Sequence, residues 1–354
     1  MILHEFPDLT WLKSQTASGF SNRMGWGNHR LDTEGFPSVI IHTNVASCFR
    51  PDIKGPLSFF LNIRGNSVCN VDRQRTHINE ENYFVSNRAQ HYTLQVEEPC
   101  ATSRRGSPAA TAPMITPTAT ARAGRATTET FNIHFGDFFS ESVLNSLLTP
   151  PDKILDKGTE KQLTPFLFFN QLHRRDATFN ALVRSIMQTY KASGFNRLLF
   201  DEQLTALLSY HLLQHRHVLD TVNKLPPVRQ ATRVELYKRL SRAKDLLHSH
   251  YDAGHAVSHP DSHPDGEISL DLLSAEACLS KYHFLRLFRQ AYGLSPHQYI
   301  QQLRLEKGKR LLVGSKMPIS DLADLLGFAN SQSFSRLFFQ RTGLYPSQYR
   351  TLAK

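Results

Sequence analysis

Two periodicities divide this chain. Near the C-terminus, apolar side chains recur every three or four positions; in the first part they alternate or cluster in blocks of four to eight. Phe284, Leu287, Phe288 and Ala291 stand at i, i+3, i+4 and i+7, which predicts a surface helix with one buried stripe. On the opposite side of that helix stand Tyr282, Arg286 and Arg289, flanked by Leu285. The preceding segment ISLDLLSAEA, from Ile268, predicts a shorter helix. A break at Cys278-Leu279-Ser280 separates the two, with Ser280 as N-cap of the second and Cys278 expected as a small buried residue of the turn. The prediction is a helix-turn-helix with a basic outer face.

The unit occurs twice. Ser280–Tyr299 aligns with Asn330–Tyr349 with ten identities in twenty positions, where chance gives roughly one. In the second copy Ile319 to Leu326 forms the first helix, Gly327 its stop, and Ser331 to Arg341 the second helix. Phe334, Leu337 and Phe338 face inward; Gln332, Ser335, Arg336 and Phe339 face outward. Each copy closes with Gly-Leu-x-Pro, so that Gly293 or Gly343 ends one helix and Pro296 or Pro346 begins the next. The stretch Pro296 to Val313 predicts a connecting helix of about 27 Å. Such a strut can hold two recognition helices near one DNA turn apart, about 34 Å.

The upstream pattern is different. Short segments rich in β-branched and aromatic residues begin at Ser38 (SVIIHT), Leu57 (LSFFLNI), Asn66 (NSVCNV), Thr76 (THI), Asn82 (NYFVS), His91 (HYTLQV) and Thr130 (TFNIHF). Strands in such a series predict a jelly roll or small barrel within residues 1–150. After Pro150-Pro151 helical spacing returns over Leu163 to Tyr190, including Phe166, Phe169 and Leu172, and over Arg197 to Leu219. Two antiparallel helices joined near Ser193-Gly194 are expected in 151–224, either as a dimer face or packed across the barrel. Residues 225–230 read as a linker and 231–354 as the paired helix-turn-helix part. The fold class is thus α+β. Residues 99–128, a run of Ala, Thr, Ser, Pro and Arg, interrupt two neighbouring strands and are expected to be a disordered insertion.

Charge sharpens this picture. Residues 229–354 carry 18 Lys+Arg against 11 Asp+Glu, whereas 1–98 carry 9 against 10 and 129–228 carry 10 against 10. The basic excess therefore sits with the repeated unit, apart from four arginines in 99–128. Such a surface attracts phosphates. Chemistry for catalysis is not evident. The four cysteines, Cys48, Cys69, Cys100 and Cys278, are scattered, which argues against a disulfide framework or a zinc finger. His248, His250, His255, His259 and His263 fall among Gly, Pro and Asp without fixed ligand spacing, so a solvated loop is expected there. No phosphate loop, nucleotide fingerprint or nucleophile elbow is present. The absence of a leader or a long apolar run makes the cytoplasm the expected compartment.

The strings LSKYHFLRLFRQAYGLSPHQYIQQLRL and ISDLADLLGFANSQSFSRLFFQRTGLYPSQYR closely resemble the DNA-binding domain of AraC/XylS-type transcriptional regulators, over roughly residues 240 to 350. The resemblance implies a bacterial, sequence-specific regulator, usually an activator, that acts on promoter DNA with RNA polymerase as a homodimer and responds to a small-molecule effector. It also implies a cupin-like sensor domain upstream. The sequence departs from the family at Phe339, where Lys or Arg is usual, which removes one phosphate contact.

The expected DNA-binding residues are Tyr282, Leu285, Arg286 and Arg289 in the first unit, and Ser331, Gln332, Ser335 and Arg336 in the second. Arg286 and Arg336 are equivalent, able to fork onto a guanine edge or clamp a phosphate; the alternative is an ion pair within the domain. For Tyr282, Gln332 and Ser335, base contact and backbone contact are both open. His42, Phe60, Arg64 and His91 are the candidate effector contacts. His77 with Glu80 and His91 lack the spacing of a cupin metal site, so no metal and no cofactor are expected and the protein is read as a non-enzyme. Two other classes stay open: a metal-dependent cupin enzyme fused to a DNA-binding module, and a ligand-free architectural DNA binder.

Overall fold

The computed structural model describes residues 2–6, 38–72, 74–96, 127–136, 139–148, 167–191, 196–227, 229–252 and 268–352. Nearly all of the expected insertion 99–128, the Ser193-Gly194 junction, Cys100 and the histidines 255, 259 and 263 lie outside the described residues. The chain divides into two compact units, Met1–His215 and Arg216–Lys354.

The first unit carries strands β1 (Ile2–Leu3), β2 (Val39–Val45), β3 (Cys48–Lys54), β4 (Ser58–Arg64), β5 (Ser67–Val71), β6 (Gln74–Ile78), β7 (Asn82–Ser86), β8 (His91–Val96), β9 (Thr128–His134) and β10 (Leu172–Arg174). Helices α1 (Phe139–Leu148), α2 (Ala177–Lys191) and the start of α3 (Arg197–Asn223) complete it. The strands form two sheets, ordered β1-β2-β9-β4-β7-β10 and β3-β8-β5-β6. The larger sheet is a middle layer. Ile40, Phe59, Leu61, Tyr83, Phe131 and Ile133 project from one face onto Phe179, Val183 and Ile186 of α2 and Leu204, Leu207 and Leu208 of α3. The alternate residues Phe60 and Phe84 project from the other face onto Cys69, Val71, Tyr92 and Leu94 of the smaller sheet.

The expected barrel is corrected here, because among the described residues the strands do not close. Closure needs edge strands to bond to each other, and here the edges are β1, β10, β3 and β6. The expected helix over 163–190 is corrected as well. It starts only at Ala177, with the Asp176 carboxylate accepting from the Phe179 amide at 2.8 Å. Upstream of it, Leu172, His173 and Arg174 pair with Phe84, Tyr83 and Asn82 of β7. The apolar spacing of Phe168, Phe169 and Leu172 thus serves a short edge strand and its approach rather than a helical stripe.

Strand β3 has no counterpart in the sequence reading. Pro51 and the charged residues of CFRPDIK hide it, and an edge strand tolerates both. Its register with β8 shifts between Arg50 and Ile53, where Asp52 has a φ of 48°. This bulge lets Arg50 and Ile53 share the inward face although they are three residues apart.

The second unit holds α4 (Gln230–Asp252), α5 (Leu270–Glu276), α6 (Lys281–Tyr292), α7 (Pro296–Gly314), α8 (Ile319–Leu325), α9 (Ser331–Thr342) and α10 (Pro346–Leu352). Every helix expected in the repeat is present. Phe284, Leu287 and Phe288 are fully buried in the first copy, as are Phe334 and Phe338 in the second. Among the described residues no helix is long and apolar enough to cross a membrane.

Candidate nucleic-acid interface

The two copies present their second helices, α6 and α9, in the same way. In each, the first helix ends in a bonded turn of one design: the Leu279 amide donates to the Ser274 carbonyl at 2.9 Å, and the Phe328 amide to the Ala323 carbonyl at 3.0 Å. The turn needs one left-handed residue. Gly327 supplies it with φ 76° in the second copy, and Cys278 with φ 50° in the first. Cys278 is exposed, which corrects the expectation of a buried residue there; Ala277 fills the buried position instead. Asn330 caps α9 by accepting from the Ser333 amide at 2.8 Å. Ser280 holds the N-cap backbone conformation of α6 without a side-chain bond.

Both recognition helices stop at a left-handed glycine, Gly293 (φ 75°) and Gly343 (φ 74°). A capping box then starts α7: Ser295 accepts from the Gln298 amide, the Gln298 side chain accepts from the Ser295 amide, and Pro296 holds the first turn. The sequence missed what fixes the first copy. Between α4, α6 and α7 lies a buried polar cluster in which Ser241 bonds Tyr292 (3.3 Å), His248 bonds Tyr299 (2.9 Å) and Lys244 lies 5.7 Å from the Tyr292 ring. Burial pulls the Lys244 pKa down, but Asp245 and the nearby tyrosines outweigh it and hold the net shift upward. Helical spacing gave no hint of this cluster, because its members come from three separate helices.

On the outer face of α6, Tyr282 is 78% exposed and Arg286, Arg289 and Leu285 are exposed beside it. On α9, Gln332 and Arg336 are exposed while Ser331 and Ser335 are half-buried. None of Arg286, Arg289 and Arg336 makes an ion pair among the described residues, so their guanidinium groups stay available. Phe339, at the position equivalent to Arg289, is exposed and stacks on Tyr345 with ring centroids 4.6 Å apart. One face of each copy therefore offers a forked cation at its centre. Its flanks differ.

Residues 273–351 match the family model described as a helix-turn-helix domain. This segment is an AraC-type helix-turn-helix domain. The chain is 36% identical over 90 residues to a probable transcriptional regulator, LumQ, of Photobacterium leiognathi, covering 25% of this chain and 36% of the relative. The transcriptional activator RhaR of Escherichia coli (strain K12) is 32% identical over 161 residues, 46% of this chain and 48% of that protein. The chain thus matches about a third to a half of the length of these relatives. The C-terminal domain of the response regulator yesN from Fusobacterium nucleatum is 28% identical and covers 31% of this chain and 99% of that one, with a TM-score of 0.25.

The four candidate effector residues do not converge. Phe60 faces the space between the sheets. His42 faces the helices, bonded to Glu129 at 2.8 Å and to the Tyr190 hydroxyl. His91 is exposed and paired with Asp52 at 2.7 Å, and Arg64 is exposed at the end of β4. Phe60 instead shares a small, partly open space between the sheets with Phe6, Arg50, Tyr92, Asn132 and His134. Among the described residues no group of three or more His, Cys, Asp or Glu is placed to hold a metal ion. His248, from the His-rich stretch, is buried against Tyr299.

Proposed function

We propose that the protein is a sequence-specific transcriptional regulator, an activator working with RNA polymerase in the cytoplasm, whose α6 and α9 enter the major groove of promoter DNA. The observation that carries this reading is the equivalence of Arg286 and Arg336: each is exposed at the sixth position of its helix, next to the residues that reach base edges. An arginine there can make two hydrogen bonds to guanine O6 and N7. Tyr282, Leu285 and Arg289 extend the contact in the first copy, and Ser331, Gln332 and Ser335 in the second.

The first unit is then the sensor, a cupin-like arrangement of two sheets that binds an effector and shifts how the paired helices meet DNA. A homodimer fits the surface of α3, where Leu199, Ala206 and Leu213 are exposed at heptad spacing. The domain roles follow the boundaries read from the sequence: sensing within 1–150, dimerisation within 151–224 and DNA binding within 231–354.

Selection of genomic DNA fragments by the purified protein at near-physiological salt tests the reading. The expected result is one shared motif of two boxes about one helical turn apart, preferred over other DNA by at least ~10³. Binding without a shared motif would instead mark an architectural DNA binder.

A further inference from the structure

The two copies of the repeat differ at two positions that meet in space. Where the first copy has Arg289 on its recognition helix and Ser295 as the cap of α7, the second has Phe339 and Tyr345. The two rings stack, with 4.6 Å between centroids and 24° between planes. Phe339 nevertheless stays 42% exposed and Tyr345 50%. Both stand outside the core of the second copy, which Leu322, Leu326, Phe334 and Phe338 fill. The change at the cap has a local cost. In the first copy the Ser295 hydroxyl accepts from the Gln298 amide. In the second, the Gln348 side chain accepts from the Tyr345 amide at 3.0 Å, but a tyrosine hydroxyl is too far from its own backbone to return the bond. An exposed ring pair that gives up half of a helix cap and adds nothing to the core is explained by what it meets outside the chain.

The place of the pair on α9 points to its partner. At 100° per residue, Gln332, Arg336 and Phe339 fall within about 60° of one another, so Phe339 continues the exposed stripe that carries the forked cation. The helical rise puts Phe339 about 4.5 Å past Arg336 along the axis, a distance of one to two base pairs at about 3.4 Å each. A helix that lays Arg336 on a guanine edge therefore brings this ring to the bases next to it. The apolar group that the major groove displays is the thymine C5-methyl; its ring nitrogens, carbonyls and amino groups are donors and acceptors that a phenyl ring would leave unpaired. Tyr345 backs the ring from behind, so Phe339 has little rotamer freedom left to lose on contact. Arg289, at the same place in the first copy, offers a cation instead.

We infer that Phe339, backed by Tyr345, reads a thymine methyl in the second box, one or two base pairs from the base that Arg336 contacts. This rests on the reading of α9 as a recognition helix and adds to it a specificity residue. The departure at Phe339 thus exchanges a charge contact, which carries no base information, for an apolar one that does.

Competition binding of the full-length protein to its selected site, with the thymines of the second box replaced one at a time by uracil, tests the inference. Uracil keeps the pairing and the O4 acceptor and lacks only the methyl. One replacement is expected to weaken binding about 3- to 5-fold, the effect of one buried methyl-sized group. Phe339→Ala should abolish that difference between thymine and uracil while the base preference that depends on Arg336 persists. The inference is overturned if the second box holds no thymine at that distance, if uracil is tolerated there, or if Phe339→Ala keeps the difference. A Phe339→Ala protein that binds DNA as the parent does but no longer activates transcription in vitro would assign the ring pair to a protein contact, and overturns it too. The uracil comparison uses the unaltered protein and so decides even where a variant fails to fold. A selection without any shared motif overturns the reading of α9 and this inference with it, whereas a motif whose second box tolerates uracil overturns this inference alone.

Discussion

Gly308 of the connecting helix lies directly against the ring of Phe334 in the second recognition helix: a Cβ at Gly308 would stand 3.1 Å from Phe334 Cε2 and 3.1 Å from Leu326 Cδ1. The helix that spaces the two copies is thereby seated on the core of the second. Gly308→Val is expected to overpack this contact and destabilise the second unit by about 1–3 kcal/mol. Footprinting should show the second box lost before the first, and loss of both boxes together would count against this seating.

Arg286→Ala and Arg336→Ala should each cost about 1–3 kcal/mol in specific DNA binding without lowering the thermal midpoint, because both side chains are exposed and make no ion pair among the described residues. Competition binding against base-substituted sites separates the roles. A relaxed preference at one base pair marks a base contact, whereas an equal loss on all sequences marks a phosphate clamp.

The left-handed turn of the first copy is held by Cys278 at φ 50°, where the second copy uses Gly327. A side chain costs roughly 1–2 kcal/mol in that region, partly offset by the greater chain entropy that glycine loses on folding. Cys278→Gly is therefore expected to stabilise the first unit by about 0.5–1 kcal/mol in denaturant unfolding, with DNA selection unchanged. A loss of stability would show that the thiol contributes more than its exposure implies.

Three buried histidines set an acid limit on the first unit. Burial lowers His134 and His215 to about 4, and burial with neighbouring His173 and His215 lowers His211 well below its ordinary value. Tyr83, whose hydroxyl lies 2.9 Å from His211 Nδ1, faces it from the sheet. The unfolded chain takes up these protons near pH 6.5, while the folded chain takes up those of His134 and His215 only near pH 4. Stability is thus full above the unfolded value and falls as pH drops through this window. The expected loss is on the order of 2 kcal/mol for each of His134 and His215 between pH 7 and pH 5. Hydrogen exchange of β4 and β9 amides, corrected for intrinsic rates, should show it; protection that is flat over that range would contradict these assignments.

The sequence by itself determined the repeated helical unit. An α-helix closes its hydrogen bonds four residues apart, so the stripe of Phe284, Leu287 and Phe288, the stops at Gly293 and Gly343, and the proline starts could all be read locally. The outward placement of Arg286 and Arg336 followed from the same geometry. Six strand positions between Ser38 and Val96, and β9, were also legible from β-branched and aromatic blocks.

Only the tertiary structure decided what those strands bond to. His42 pairs with Phe131, and Leu172 with Phe84, across separations that no local period encodes. For that reason the sheet did not close as a barrel, Leu172 left its expected helix for a strand, and β3 stayed hidden behind Pro51. The small space between the sheets was hidden by the same cause. Arg50, Asn132 and His134 come from strands far apart in the chain, and only their long-range pairing, with the bulge at Asp52, brings them together.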